Sequence, residues 1–269
     1  MKENILKNIA LSVIIPTFNR KCPLFRCLNA VLNQTCLKEE YEVIIVDDGS
    51  TDGTEAMVSS MENKYLGLLR YFKQENKGPA AARNLGIKNS NGKIILFIGD
   101  DVIAAPALLE EHINWHKKYQ EDNVAVLGNV ILPAGLKANP FTVWLHENGV
   151  QFGYFLIKDH FNVSYEYFYT ANISLKKQFL INHGLFDEDF RYAALEDIEL
   201  GYRLSKFGIK IVFNKSATGY HLHKICKKYF IERSKLIGIS AMLLEQKHPE
   251  LRKRGNFIIK PHLTAIIKI

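Results

Sequence analysis

The sequence predicts an α/β fold built on a mainly parallel sheet, and two observations carry this prediction. Short apolar runs rich in Ile and Val alternate with helix-length segments through the first hundred residues, which is typical of buried parallel strands joined by helices. Two of these runs end in an Asp pair, Asp47-Asp48 and Asp100-Asp101. Because ligands of open α/β sheets bind outside the carboxyl ends of the strands, we expect all four carboxylates to point toward one crevice.

The elements of the first half follow from this alternation and from residues that begin helices. Thr54 comes after Asp52-Gly53, and Pro106 precedes an apolar-periodic segment, so each is expected to open a helix. The expected elements are a strand at 11–15, a helix at 22–32, a strand at 41–46, a helix at 54–61, a strand at 68–72, a helix at 79–88 and a strand at 93–98.

The paired carboxylates indicate a ligand in the crevice. Crowded acidic groups repel one another, so the arrangement is favourable when a divalent cation or a ligand rich in hydrogen-bond donors lies between them. Carboxylate oxygens suit Mg²⁺ or Mn²⁺. The alternative is that Asp47, Asp48, Asp100 and Asp101 cap turns and helices, which aspartate also does well.

The segment after the first strand has the composition of a nucleobase site. Pro16, Thr17, Phe18 and Asn19 should reach the same crevice as the first Asp pair. A nucleobase needs an aromatic platform and an acceptor for its N–H groups, which Phe18 and Asp48 would supply. A buried hydrophobic staple is the alternative role for Phe18.

A second segment adds positive potential. Residues 76–86 form a predicted tight turn that leads into a helix of small residues able to approach the sheet or a ligand closely. The amides at the start of this helix, with Lys77, Gly78 and Arg83 nearby, are suited to the phosphates of a nucleotide.

The second half carries candidate catalytic and acceptor residues. Glu196 and Asp197 open an amphipathic helix, where a carboxylate is favoured in its ionised form, the form that accepts a proton from a hydroxyl nucleophile. Ordinary helix capping is the alternative for both acids. Aromatic residues concentrate between positions 128 and 170. Their faces suit sugar rings, although we expect core packing for most of them, with Trp144 as the candidate acceptor contact.

Two histidines lie where a strand-like alternation would place them on one face. His221 and His223 could complete a metal shell begun by Asp101, or make ordinary polar contacts. The four cysteines show no metal-ligand or disulfide spacing, and neither a signal peptide nor an apolar run of membrane-spanning length is found. We therefore expect a cytoplasmic protein without a nucleic-acid partner.

The net charge of +7 is unevenly distributed along the chain. Residues 224–269 hold 11 Lys and Arg against 3 Glu, whereas the rest of the chain is close to neutral. This basic tail contains apolar patches, so it is expected either to contact anionic lipid at the inner face of a membrane or to pack on the body as a solvated helix.

Taken in order, five motifs resemble the inverting nucleotide-sugar glycosyltransferases of family 2, over about residues 11 to 223. The motifs are Pro-Thr-Phe-Asn-Arg at 16–20, Val-Asp-Asp-Gly-Ser-Thr-Asp at 46–52, Asn-x-Gly-x-x-x-Ala-Arg-Asn-x-Gly at 76–86, Asp-Asp at 100–101 and Glu-Asp-x-Glu-Leu-x-x-Arg-Leu at 196–204. The resemblance implies the GT-A fold, a Rossmann-like, mainly parallel sheet flanked by helices. It divides the chain into a domain at 1–223, with a nucleotide half at 1–105 and an acceptor half at 106–223, and a helical tail at 224–269.

The resemblance also implies roles for single residues. In the implied site Phe18 and Asp48 hold the base, with Asp47 nearby, while Arg83 contacts the nucleotide and Asp100 binds ribose. Asp101 is implied to bind Mn²⁺ or Mg²⁺, and His221 or His223 to serve the metal or the pyrophosphate. Asn172 is implied to lie on the acceptor side. Asp197 is the implied base, with Glu196 as the alternative.

The implied reaction is transfer of one sugar from a nucleotide-diphosphate sugar, expected to be a UDP-sugar, to a hydroxyl of a glycan or lipid-linked acceptor. Gly99 stands where many relatives have the first Asp of Asp-x-Asp, so metal binding would depend on Asp101. The Gln-x-x-Arg-Trp motif of processive members is absent. The alternative is an inactive nucleotide-binding or membrane-partner module; a sugar-nucleotide pyrophosphorylase is disfavoured because no Gly-rich loop follows the first strand.

Overall fold

The computed structural model describes residues 9–133, 138–222 and 225–254, and within them eight strands and eight α-helices. The strands are β1 (Leu11–Thr17), β2 (Tyr41–Asp47), β3 (Leu69–Lys73), β4 (Ile94–Ile98), β5 (Val102–Ala104), β6 (Val124–Ile131), β7 (Asn172–Lys176) and β8 (Lys210–His221). The helices are α1 (Lys21–Val31), α2 (Thr54–Lys64), α3 (Pro79–Asn89), α4 (Leu108–Lys118), α5 (Pro140–Glu147), α6 (Lys177–His183), α7 (Glu196–Ser205) and α8 (Lys227–Lys247). Three short 3₁₀ helices cover Tyr154–Leu156, Tyr165–Tyr167 and Pro249–Arg254.

All strands belong to one sheet with the order β3-β2-β1-β4-β7-β6-β8-β5. The first four pair in parallel, as predicted. The second half is mixed: β7 runs antiparallel to β4 and β6, and β5 runs antiparallel to β8. The predicted α/β architecture is therefore confirmed, with a sheet that is parallel in its first half and mixed as a whole.

Each predicted element of the first half is present, with shifts of a few residues at the ends. Pro106 does not itself begin a helix, since it lies in a turn closed by a hydrogen bond from Leu108 N to Ala105 O (3.0 Å), and α4 starts at Leu108. Small residues bring α3 close to the sheet, because a Cβ on Gly86 would lie 2.6 Å from Ile14 Cγ2. The expected close approach of this helix is confirmed.

Because of the strand directions, the loops that follow β1, β2, β4 and β8 lie at one edge of the sheet. β1, β2 and β4 end there, and β7 begins there because Asn172 pairs with Ile98, the last residue of β4. β8 runs parallel to β6 and ends at the same edge, where His221 pairs with Val102. The sequence segments that carry the motifs therefore meet although they lie far apart in the chain.

The predicted C-terminal helix is present as α8, which is anchored at both ends. Near its start, Phe230 packs edge-to-face on Phe141 at 5.5 Å between ring centroids. At its end, Lys247 pairs with Asp187 at 2.6 Å, and His248 lies 2.9 Å from Glu199. The apolar patch predicted at 257–259 lies outside the described residues. No helix in the described part of the chain combines the length and hydropathy needed to cross a membrane.

Candidate active site

A cavity of about 1090 Å³ opens at the edge of the sheet where these strands end. The predicted site residues that line it are Pro16, Thr17, Phe18, Asp48, Gly78, Arg83, Asp100, Asp101, Glu196, Asp197 and His221. Most of the residues proposed from the sequence therefore come together in one place.

The side of the cavity where the sequence predicts a nucleobase is built on β1 and β2. Phe18 is 44% exposed and lines the cavity, so it is not a buried staple. Asp48 is buried and accepts hydrogen bonds from Gln74 Nε2 (2.7 Å), Lys77 N (2.8 Å) and Gly78 N (2.9 Å). Its carboxylate thus fixes the turn before α3 at the cavity wall.

One residue that we expected to face the cavity from this side does not. Asp47 is fully buried and accepts hydrogen bonds from Ser50 N (2.7 Å) and Tyr71 Oη (2.6 Å). Successive strand residues alternate in direction, so Asp48 faces the cavity while Asp47 holds the β2 turn and β3. The prediction that four carboxylates point into one crevice is wrong for Asp47.

Two further residues do not face the cavity as predicted, because of the turns in which they lie. Asn19 adopts a left-handed conformation with φ of 52° and accepts a hydrogen bond from Thr51 N (2.8 Å), so its side chain joins two loops and does not line the cavity. Lys77 is exposed outside the cavity, and only its backbone N–H reaches Asp48. Both residues shape the site without presenting their side chains to it.

A charged cluster lies where β4 ends. Arg20 Nε is 2.9 Å from Asp100 Oδ1, and Arg20 Nη2 donates to Asp101 Oδ2 at 2.5 Å. Thr17 Oγ1 also donates to Asp100, at 2.8 Å. Burial raises the pKa of Asp100 to about 7; the charge of Asp101 raises it as well, while Arg20 opposes the shift.

Of the two candidate metal-binding histidines, the structure describes His221, which lies at this cluster. It is buried, and its Nε2 lies 3.5 Å from Asp101 Oδ2. Phe152 packs edge-to-face on the His221 ring at 5.4 Å between centroids. β8 includes His221, and His223 lies outside the described residues.

The donor set of this cluster suits a divalent cation. Asp100 and Asp101 present carboxylate oxygens around a positive charge, which in this structure is the Arg20 guanidinium. No group of three or more His, Cys, Asp or Glu side chains that could hold a metal occurs among the described residues. A metal here would therefore be held by Asp101, with His221 beside it, and would need further ligands from a bound molecule.

The two acids that open α7 have different surroundings. Glu196 is buried and forms an ion pair with Arg83 Nη1 at 2.8 Å. Burial raises the pKa of Glu196, the charge of Asp197 raises it further, and Arg83 opposes the shift. Arg83 therefore lines the cavity while its guanidinium is paired with Glu196 of α7.

Asp197 is more accessible than Glu196 and lines the cavity. Its Oδ2 accepts from Thr170 N (3.2 Å) and Thr170 Oγ1 (3.3 Å), and its Oδ1 accepts from Ile198 N (2.9 Å). Across the described residues, no Lys, Arg or His forms an ion pair with Asp197. This carboxylate is held in position while it keeps access to a ligand.

The two predicted acceptor contacts lie away from the cavity. Asn172 is fully buried, donates to Ala217 O (2.8 Å) and lies 2.9 Å from His112 Nε2. Trp144 stacks on Phe141 at 6.2 Å between ring centroids and packs on the Leu145 cluster. Both predictions are wrong, because neither residue lines the cavity: Asn172 is buried beside α4, and Trp144 is partly buried and packs beside α8.

Other residues take part in the site although the sequence analysis gave them no role. Thr170 supports Asp197, and Arg20 bridges the aspartates of the cluster. Tyr229 and Arg233 line the cavity from α8. The spacing of Tyr229, Arg233, Leu236 and Ile237 places them on one helix face, which is the signal that would have identified this wall.

Comparisons with known proteins identify the family to which this chain is similar. The model of Glycosyl transferase family 2 matches residues 12–179. An uncharacterized glycosyltransferase of Bacillus subtilis, YfnE, is 28% identical over 254 residues, which cover 78% of this chain and 64% of that protein. Validoxylamine A glucosyltransferase of Streptomyces hygroscopicus subsp. limoneus is 29% identical over 278 residues, covering 90% of this chain and 57% of that protein. The chain therefore spans less than two thirds of the length of these curated relatives.

Solved structures show the same fold. TarS from S. aureus superimposes with a TM-score of 0.62 at 22% identity, covering 87% of this chain and 66% of that chain. The mannosyltransferase PcManGT from Pyrobaculum calidifontis superimposes with a TM-score of 0.65 at 20% identity, covering 95% of this chain and 68% of that chain. With a family model that matches well over half of its length, the chain belongs to glycosyl transferase family 2.

Proposed function

We propose that this protein transfers one sugar from a nucleotide-diphosphate sugar to an acceptor hydroxyl, with inversion at the anomeric carbon. The observation that carries the proposal is Asp197, a cavity-lining carboxylate held by Thr170 and not engaged in an ion pair within the described residues. Its neighbour Glu196 is buried and paired with Arg83, so Asp197 is the better base.

The reaction is a single displacement. Asp197 takes the proton of the acceptor hydroxyl as the acceptor oxygen forms a bond to the anomeric carbon. The bond from that carbon to the diphosphate oxygen breaks, and its electron pair leaves with the nucleoside diphosphate. Because attack and departure occur on opposite faces of the sugar, the product has the inverted configuration.

The rest of the cavity supports a nucleotide-sugar donor. Phe18 offers an exposed aromatic platform and Asp48 an acceptor next to the amides that start α3. Asp101 and His221 would hold Mn²⁺ or Mg²⁺, which when bound neutralises the diphosphate charge. Among the similar structures, PcManGT was solved with GDP-Man and Mn²⁺, and TarS with UDP-GlcNAc. We propose a UDP-sugar as the donor.

The cavity also leaves room for an acceptor. A volume of about 1090 Å³ is at the upper end of the range for single ligand pockets, roughly 300–1,000 Å³. Since Asn172 and Trp144 lie elsewhere, we place the acceptor, a glycan or lipid-linked glycan, between Asp197 and the α8 wall. Chondroitin synthase of Escherichia coli, 28% identical over 273 residues, is a relative whose name implies a glycan product.

The first test combines binding and turnover. Calorimetric titration with UDP, GDP and dTDP, with and without Mn²⁺, should identify one preferred nucleotide, and donor hydrolysis or transfer is then measured with the matching sugar nucleotide. The Asp197→Asn variant should lose about 10²- to 10⁴-fold in turnover while its nucleotide affinity is unchanged. Asp122→Asn, an exposed acid outside the cavity, is the matched control.

Two outcomes would contradict the proposal. If Asp197→Asn kept near-normal turnover while Glu196→Gln lost it, the base would be Glu196. If the wild-type protein bound a nucleotide but neither hydrolysed nor transferred any sugar, the chain would be an inactive module.

We also propose that the protein lies in the cytoplasm with α8 against the inner face of a membrane. The support is an exposed stripe on this helix, in which Ile231, Ile239 and Met242 are 55%, 52% and 74% exposed. Lys227, Lys228 and Lys235 lie on the same helix, which suits an anionic lipid surface.

A further inference from the structure

Arg20 links the start of α1 to the end of β4 across the cavity. It precedes the first residue of α1, and its side chain crosses to the aspartates that follow Ile98. Its Nε lies 2.9 Å from Asp100 Oδ1 and its Nη2 lies 2.5 Å from Asp101 Oδ2. One guanidinium therefore bridges two different carboxylates.

The groups around Arg20 are acidic and largely shielded from water, as is typical of the groups around a bound cation. Asp100 and Asp101 have side chains that are 10% and 15% exposed, and the Arg20 side chain is 30% exposed. His221 Nε2 is 3.5 Å from the Asp101 oxygen that accepts from Arg20, and Tyr229 of α8 lines the same cavity. Two adjacent carboxylates with limited water access need a positive charge between them.

We propose that Arg20 is a resident counter-ion that occupies the cation position between Asp100 and Asp101 until a nucleoside diphosphate arrives. A divalent ion and a guanidinium at the same oxygens would repel each other strongly, so Arg20 leaves Asp101 when the metal binds. The released guanidinium then pairs with the diphosphate, whose oxygens match its planar donors. This inference rests on the metal-assisted transfer proposed above.

The consequence is that the metal ion and the nucleotide bind cooperatively. Without a nucleotide, Mn²⁺ must displace Arg20 without any compensating contact for the guanidinium, so metal binding is weak. With a nucleoside diphosphate present, the guanidinium gains a new anionic partner and the cost of displacing it falls. Thermodynamic linkage requires the converse: the metal strengthens nucleotide binding by the same factor.

The test measures Mn²⁺ binding by electron paramagnetic resonance and calorimetry, at pH 8, with and without UDP. The variants are Arg20→Ala and Arg20→Gln, the second of which keeps a polar side chain in case the first is unstable. Arg26→Ala is the matched control, because Arg26 is an exposed arginine on the same helix. Thermal unfolding confirms that each variant is folded.

We expect both Arg20 variants to bind Mn²⁺ alone at least about tenfold more tightly than the wild type or Arg26→Ala. The factor by which UDP and Mn²⁺ strengthen each other should shrink in the same variants. Adding Asp101→Ala should abolish the gained affinity. A purely structural Arg20 would give the opposite sign, since its loss would loosen the aspartates and weaken metal binding.

The failures of the two proposals are distinguishable. If wild type with UDP binds Mn²⁺ but the Arg20 variants alone bind it no better than wild type, the counter-ion role is wrong and metal-assisted transfer stands. If wild type binds no Mn²⁺ even with UDP, the metal part of the proposed function is wrong, and the counter-ion role is wrong with it.

Discussion

Gly78 holds the turn before α3 in a backbone conformation and at a packing distance that suit only glycine. Its φ is 92° and ψ is 167°, a region that is nearly restricted to glycine. A Cβ at this position would lie 2.5 Å from Arg191 O, and the Gly78 N–H donates to Asp48. The turn, the loop before α7 and the position of the Asp48 carboxylate therefore depend on the absence of a side chain at this residue.

We accordingly expect Gly78→Ala to reduce the free energy of unfolding by about 3 kcal/mol, from strained backbone and a steric clash, and to weaken nucleotide binding about tenfold. Gly67→Ala is the matched control, because Gly67 also has a positive φ (76°) but a Cβ there would have no neighbour within 4 Å. It should cost about 1 kcal/mol without changing nucleotide affinity. Urea unfolding and calorimetry measure both effects, and equal losses in the two variants would contradict the packing argument.

The two acids of α7 show which part of the site the sequence could predict. Their position in the first turn of an amphipathic helix identified both Glu196 and Asp197, because helix starts are recognisable from local sequence. Their different roles depend on Arg83 and Thr170, which lie 113 and 27 residues away in the chain. No local pattern reports such contacts, so the sequence alone left the choice of base open.

A buried polar network joins α4 to β7. His112 Nδ1 and His116 Nε2 lie 2.7 Å and 2.9 Å from Ser174 Oγ, and His112 Nε2 lies 2.9 Å from Asn172 Oδ1. Burial lowers the pKa of His112 to about 4 and that of His116 to about 3. Both rings are therefore neutral in the folded protein at neutral pH.

This network predicts acid sensitivity with a definite sign. In the unfolded chain both histidines have pKa values near 6.5, so below that pH the unfolded state binds protons that the folded state does not. Stability is fully present above about pH 6.5 and falls toward pH 4, by up to about 2.7 kcal/mol per pH unit for two protons. Urea unfolding between pH 8 and pH 4.5 measures the slope.

The control for this prediction is a histidine whose ring is exposed. The double variant His112→Gln/His116→Gln should flatten the slope below pH 6.5, although its stability at pH 8 is lower because the buried hydrogen bonds change. His160→Gln, at an exposed position, should leave the slope unchanged. If the double variant kept the wild-type slope, other groups would be responsible for the acid sensitivity.

β7 explains why the position of the proposed acceptor residues was harder to predict than that of the proposed nucleotide residues. The parallel strands of the first half follow one another with helices between them, so their ends were assigned to one edge from the sequence. β7 enters the sheet in the opposite direction after the aromatic segment. Asn172, the first residue of β7, is buried in the core, while Thr170 and Ala171, just before the strand, line the cavity.

At the scale of the whole molecule, α8 forms one wall of the cavity. Its inner face contributes Tyr229 and Arg233 to the cavity, and its ends are fixed by Phe230 on Phe141 and by Lys247 on Asp187. A helix held in this way presents its opposite face at a fixed orientation relative to the site. A lipid-linked acceptor, as proposed above, would then meet the cavity and the exposed stripe of α8 together.

The proposed membrane contact gives the last prediction. The stripe of Ile231, Ile239 and Met242 is exposed, and residues 224–269 carry 11 basic against 3 acidic residues. We expect the protein to sediment with vesicles that contain phosphatidylserine and to stay in solution with pure phosphatidylcholine, because each basic residue near an anionic surface contributes about 1 kcal/mol. Added salt should weaken the binding, since it screens charge attraction.

The double variant Ile231→Ser/Met242→Ser should bind these vesicles about tenfold more weakly, because two side chains no longer enter the apolar boundary of the bilayer. Its thermal stability and its nucleotide affinity should be unchanged, since both side chains point away from the cavity wall. Leu66→Ser is the matched control, because Leu66 is 79% exposed outside α8. If the double variant and the control bound the vesicles equally well, the stripe would not be a lipid-contacting surface, and α8 would serve the cavity alone.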